Sequence, residues 1–135
     1  MNRIISRLRE AMNRHDVEAM AALFAADYRS EQPAHPGRGF GGQAQVRSTW
    51  GEMFRGVADF EAGVVKEATE GPTSWSEWVW RGTRGDGEPF LMKGVILLGW
   101  REDGLISWAR WYMEPVEQGG PSIDAAVRQL SGVSD

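Results

Sequence analysis

The sequence predicts an α+β fold, three helices followed by an antiparallel sheet, and three observations carry that reading. Apolar residues recur at helical spacing as far as Val57, alternate with polar ones after Ala58, and are punctuated from there on by short turn signals. At 135 residues the chain is near the commonest size for one domain, so a single core is expected.

The first helix is marked by Ile4, Ile5, Leu8 and Met12 on one stripe, with Arg3, Arg7, Arg9 and Glu10 on the other face. His15-Asp16 interrupts that pattern, and Asp16 is a suitable N-cap for a second helix carrying Val17, Met20, Leu23 and Phe24. Tyr28 to Glu31 reads as a short strand. The following QPAHPGRGFGG holds two Pro and four Gly in eleven residues, so it is a shaped loop. A third helix is predicted from Gln43 to Val57, with Val46, Trp50, Met53, Phe54 and Val57 on its apolar stripe.

Four strands are expected near residues 59–69, 74–84, 89–101 and 105–114, separated by Gly71-Pro72, Gly85-Asp86-Gly87 and Asp103-Gly104. Connections this short imply antiparallel pairing, and Asp-Gly favours a two-residue hairpin turn because it accepts positive φ. With Asp103 and Gly104 at the centre of that turn, Glu102 faces Leu105, Ile96 faces Trp111 and Lys93 faces Glu114. One side of the hairpin then gathers Gly94, Ile96, Leu98 and Trp100 with Ser107, Ala109, Trp111 and Met113, and Trp78 and Trp80 share it. This apolar side should meet the helices. The other side carries Lys93, Val95, Leu97 and Arg101 with Ile106, Trp108, Arg110, Tyr112 and Glu114. Its apolar members are expected to pack against a second copy, giving a homodimer through the outer sheet face, with cover by the C-terminal tail as the alternative. The domain is placed at residues 1–118. Residues 119–135 form a C-terminal tail with room for a short helix over Ile123 to Leu130 and a frayed end from Ser131 to Asp135.

Composition narrows the functional classes. A net charge of −4 and a pI near 5.2 provide no basic stripe, so no nucleic-acid partner is expected. Without Cys there is no disulfide framework, thiolate nucleophile or thiolate metal site. Two His and no HExxH or EF-hand pattern leave neither a metal nor another cofactor expected. The charged, amphipathic N-terminal segment is unlike a secretory signal, and no apolar run approaches a membrane span. No membrane partner is expected, and the cytoplasm is the expected location.

Five segments in order carry a family likeness: AALFAADY, PAHPGRGFGG followed by QVRSTW, SEWVWRGTRGDGEPF, MKGVILLGWREDG and ISWARWYMEPVE. In these the chain resembles the SnoaL-like, polyketide cyclase-like branch of the nuclear transport factor 2-like superfamily, over nearly its whole length. The resemblance implies a cone, three N-terminal helices closing over a curved, largely antiparallel sheet of four to five strands, with a pocket between helix and sheet. It also implies frequent dimers and diverse activities, from polyketide cyclisation and steroid isomerisation to epoxide hydrolysis and plain ligand binding. Cyclase-like members usually carry Asp where this chain has Ile96, and often His where it has Arg84. Neither replacement can supply the desolvated carboxylate that proton shuttling next to a carbonyl needs.

Among this chain's own residues, His35 is the first acid-base candidate, a group that titrates near neutrality in the shaped loop at the expected pocket mouth. Glu114 is the second, with an ion pair to Lys93 as its structural alternative. His15, beside a helix cap, reads as surface. Asp59, Glu61 and Glu77 read as solvated, and GRGFGG lacks the Lys of a phosphate-binding loop. The expected pocket is formed by Tyr28, Gln32, His35, Trp50, Phe54, Trp78, Trp80, Arg84, Met92, Ile96, Trp111 and Met113, and suits a small hydrophobic or aromatic ligand. Three functions follow from this: a binding protein for such a ligand, an acid-base enzyme of the cyclase, isomerase or hydrolase kind, or a protein-interaction module using the outer sheet face.

Overall fold

In the computed structural model, residues 2–133 are described. Helix α1 (Arg3–Asn13) opens on Asn2, whose side chain accepts from the Ile4 and Ile5 amides, satisfying donors that the first turn leaves unpaired. Helix α2 (Val17–Ala21) is capped by Asp16, which accepts from the Ala19 amide at 3.0 Å. It is shorter than the apolar spacing predicts. Phe24 leaves the helix and begins strand β1 (Phe24–Glu31), because its backbone pairs with the distant Ile106, a partner no local pattern reveals. A turn of 3-10 helix (Pro36–Arg38) and the two-residue strand β2 (Phe40–Gly41) follow, then helix α3 (Gln43–Gly56).

Four long strands, β3 (Glu61–Glu70), β4 (Thr73–Thr83), β5 (Pro89–Trp100) and β6 (Ile106–Pro115), complete one sheet in the order β2-β1-β6-β5-β4-β3. Every pairing is antiparallel except β1 with β6. The α+β class and the largely antiparallel sheet stand as expected. The sheet has six strands rather than four or five, because β2 forms inside the Gly-rich loop.

The β5–β6 hairpin keeps the predicted register from Met92↔Pro115 to Gly99↔Trp108, including Lys93↔Glu114 and Ile96↔Trp111. Its turn differs. The Gly104 amide donates to the Arg101 carbonyl and the Arg101 amide to the Leu105 carbonyl, so the connection is the three-residue loop Glu102-Asp103-Gly104 with Gly104 at φ 80°. That longer loop would slip every pair by one. A bulge that leaves Ser107 extra between Gly99↔Trp108 and Trp100↔Ile106 restores the register. One consequence is that Ile106, expected on the outer side, is fully buried.

Bulges also interrupt β3–β4 and β1–β6, and they bend the sheet about the helices. Gly94 is required by the close approach of β6, since a Cβ there would collide with the Tyr112 carbonyl. The core joins Ile5, Leu8 and Met12 of α1 to Trp50 and Phe54 of α3 and to Trp78, Ile96 and Leu98 of the inner sheet face. Helix α4 (Ile123–Ser131) is capped by Ser122 and ended by Gly132 at φ 71°, with Ile123, Val127 and Leu130 exposed. Of the end expected to fray, residues 134 and 135 lie outside the described residues. Among the described residues no helix is long and apolar enough to cross a membrane.

Candidate functional site

The inner face of the sheet does not fill completely. A cavity of about 210 Å³ lies between α3, β1 and the ends of β4, β5 and β6. Periodicity selects its lining: Val46, Thr49, Trp50 and Met53 follow helical spacing on α3, while Tyr28 and Ser30 on β1, continued by Gln32, and Trp111 and Met113 on β6 follow strand alternation. Phe24, Phe40, Trp80 and Met92 close the apolar wall, and Arg38 of the 3-10 turn stands beside Gln32 on the loop side.

The rings make a packed frame. Trp50 meets Trp80 edge to face at 5.3 Å, and both lie about 6 Å from Trp111, at 6.3 and 6.2 Å. Tyr28 is buried beneath them and its hydroxyl accepts from Trp111 Nε1 at 3.2 Å. Burial pushes the Tyr28 phenol up to about 12, against weaker opposing hydrogen bonds with Ser30 and Trp111, so it stays a protonated O–H at neutral pH. Trp80 Nε1 is buried with no hydrogen-bond acceptor. Arg38 donates from Nη1 to Gln32 Oε1 at 3.0 Å. Among the described residues no Asp, Glu or His lines this cavity, so Tyr28 and Arg38 are its titratable groups.

Seven of the twelve expected pocket residues line the cavity: Tyr28, Gln32, Trp50, Trp80, Met92, Trp111 and Met113. Phe54, Trp78 and Ile96 lie in the filled core. Arg84 is ion-paired with Asp86 at 2.6 Å and lines a separate, more open groove with Phe90, Leu91 and Val116. Met92 borders both hollows. The two acid-base candidates meet each other: His35 Nε2 is 2.6 Å from Glu114 Oε1, both half exposed. Lys93 lies opposite Glu114 in the register, yet the carboxylate bonds His35 instead, which corrects the expected Lys93 pair. The His35–Glu114 pair sits just off the cavity wall, in sequence between Gln32 and Arg38 on one side and next to Met113 on the other.

His15 is not a free surface residue. It stacks on Phe54 with centroids 4.5 Å apart, places Nε2 2.9 Å from the Phe60 carbonyl, and adopts φ 55°. The residues that sequence reasoning did not assign to the pocket are Phe24, Ser30, Arg38, Phe40, Val46, Thr49 and Met53. Val46 and Met53 were legible on the α3 stripe. Arg38 and Ser30 carry no pattern that separates them from ordinary loop and strand residues.

The sequence profile of the SnoaL-like domain matches residues 5–109. The chain belongs to this family. Solved structures with the same fold accompany that match to the SnoaL-like domain. A protein from Catenulispora acidiphila with a ketosteroid isomerase-like fold, solved in complex with trimethylamine, superposes with a TM-score of 0.74 at 20% identity, over 83% of this chain and 86% of its own. An LEH-like epoxide hydrolase from M. tuberculosis gives 0.70 at 16% identity over 83% and 80%. A proposed polyketide cyclase from Sinorhizobium meliloti gives 0.66 at 17% over 84% and 95%. At these identities the likeness is one of fold. No functionally curated protein matches the sequence.

Proposed function

We propose that this SnoaL-like domain binds a small hydrophobic or aromatic molecule in the cavity beneath α3. The observation that carries this is the hollow itself: about 210 Å³ framed by Trp50, Trp80 and Trp111, with Met53, Met92 and Met113 beside them and a few polar side chains, Tyr28, Ser30, Gln32, Arg38 and Thr49, on the same wall. Rigid rings provide contact area, and the three thioethers adapt to shape. The volume exceeds the roughly 150 Å³ of an engineered apolar cavity that takes benzene, and falls below the roughly 300 Å³ where drug-sized sites begin. A ligand of one or two rings fits that interval.

The acid-base enzyme is the second reading, favoured by the His35–Glu114 contact of 2.6 Å beside the loop that carries Arg38. A carboxylate holding an imidazole is a common way to orient a general base. Binding remains the first reading because the wall itself carries no such pair. The neighbours in fold include a hydrolase and a proposed cyclase, which supports the second reading at the level of chemistry the fold can host. We also propose a homodimer through the outer sheet face, where Val65, Trp75 and Tyr112 are 61%, 41% and 42% exposed. Burying that surface symmetrically would leave it little role as a docking module for other proteins.

Native mass spectrometry of the protein purified from its own host, followed by tryptophan fluorescence titration of any co-purifying compound, tests the binding reading. An adduct of small mass that quenches the indoles is expected. A library of one- and two-ring compounds that leaves the fluorescence of all seven Trp unchanged would contradict it.

A further inference from the structure

We infer that the ligand of this cavity is an acid, with a flat apolar body among the rings and a carboxylate held by Arg38. The inference rests on reading the cavity as a ligand site and concerns only which chemistry it selects. Among the described residues Arg38 is the one charged side chain on the wall. A guanidinium has five N–H donors in a planar fork, and here the one side-chain acceptor it meets is a neutral amide, Gln32. Carboxylates close to it in sequence or space are engaged elsewhere. Glu31 faces Arg110 at 3.7 Å, and Glu114 is held by His35.

The remaining polar groups point the same way. The Tyr28 hydroxyl is already engaged with Trp111 and Ser30, and among the described residues no anionic acceptor lines the wall to receive a cation. An ammonium could instead be held by ring faces, as in aromatic cages. Here Trp50, Trp80 and Trp111 offer ring surface to an apolar body, but Arg38 on the same wall repels a positive charge. A bidentate carboxylate matches the fork and the sign.

Isothermal titration of the whole chain with naphthalene-2-carboxylate, naphthalene-2-carboxamide and trimethyl(naphthalen-2-yl)ammonium tests this, because the three probes share a body and differ in charge. The carboxylate is expected to bind about tenfold tighter than the amide, and the ammonium weakest, the scale of one charge-assisted hydrogen-bonded contact. Arg38→Gln should erase the preference for the carboxylate over the amide, and Arg38→Lys should keep part of it. Carboxylate and amide binding equally to the wild type, or a preference that survives Arg38→Gln, would overturn the acid inference and leave the cavity reading intact. Failure of both the carboxylate and the amide to bind would overturn the cavity reading itself, and this inference with it.

Discussion

Trp78 and Trp80 stand two residues apart on the same face of β4, both almost fully buried, yet they do different work. Trp78 is embedded in filled core. Its Nε1 donates to Ser76 Oγ at 2.7 Å, and that hydroxyl donates on to the Ile96 carbonyl at 3.2 Å, so the buried polar atoms close a short chain. Trp80 borders the cavity, meets Trp50 edge to face, and leaves its N–H without an acceptor. Every α-helical residue on the cavity wall comes from α3, whereas α1 and α2 supply Ile5, Leu8, Met12 and Met20 to the filled region. One sheet face is thus divided by what covers it. The solid half supplies stability, and the hollow half is where function can be added without dismantling the fold.

Four expected outcomes bear on that division, taken from the largest effect downward. Trp78→Ala removes a fully buried indole from close-packed surroundings and should cost about 4 kcal/mol in urea melts. A cost near 1 kcal/mol would mean the solid half is loosely packed. Next comes alkaline pH. The Tyr28 phenol titrates at about 12 in the fold against an ordinary 10.0, so the unfolded chain loses its proton first and stability falls as pH rises from about 10 to 12. That loss is on the order of 3 kcal/mol by linkage, and Tyr28→Phe should remove this part of the pH dependence. An identical slope in the variant would show that other groups cause it.

Trp80→Phe forfeits no hydrogen bond and enlarges an existing hollow, so it should cost about 1 kcal/mol while altering ligand affinity. A loss as large as that of Trp78→Ala would erase the distinction between the halves. Smallest is Glu114→Gln. The His35 contact is half exposed, so stability should change by no more than about 0.5 kcal/mol. If the acid-base reading holds, turnover of an identified substrate falls much further than stability does.

Much of the solid half was legible in the sequence, because alternation and helical spacing report directly which side chains face inward. Asp103-Gly104 predicts the hairpin register although the loop has three residues rather than two. The one-residue error in the loop and the extra Ser107 cancel, so the faces from Met92 to Gly99 came out correctly while Ile106 did not. Phe24 continued the helical spacing of α2, and only its pairing with Ile106, far along the chain, draws it into a strand. The hollow half was legible as a set of large inward side chains. Where they fail to fill space depends on how far α3 stands off the sheet, and no residue pattern encodes that distance. Hence inward-facing Phe54, Trp78 and Ile96, which complete the core, carry the same pattern as the residues of the wall, and Arg38, a single cation in a Pro/Gly loop, carries no pattern at all.

The central claim is that the hollow half receives a ligand while the solid half does not. Methionine ε-methyl NMR reads both at once, since Met53, Met92 and Met113 line the cavity and Met12 and Met20 lie in the filled core. Titration with naphthalene-2-carboxylate should shift the first three methyl resonances through the ring current of the bound probe and leave Met12 and Met20 in place. Shifts at Met12 and Met20, or unmoved resonances at Met53, Met92 and Met113 at saturating probe, would contradict the account.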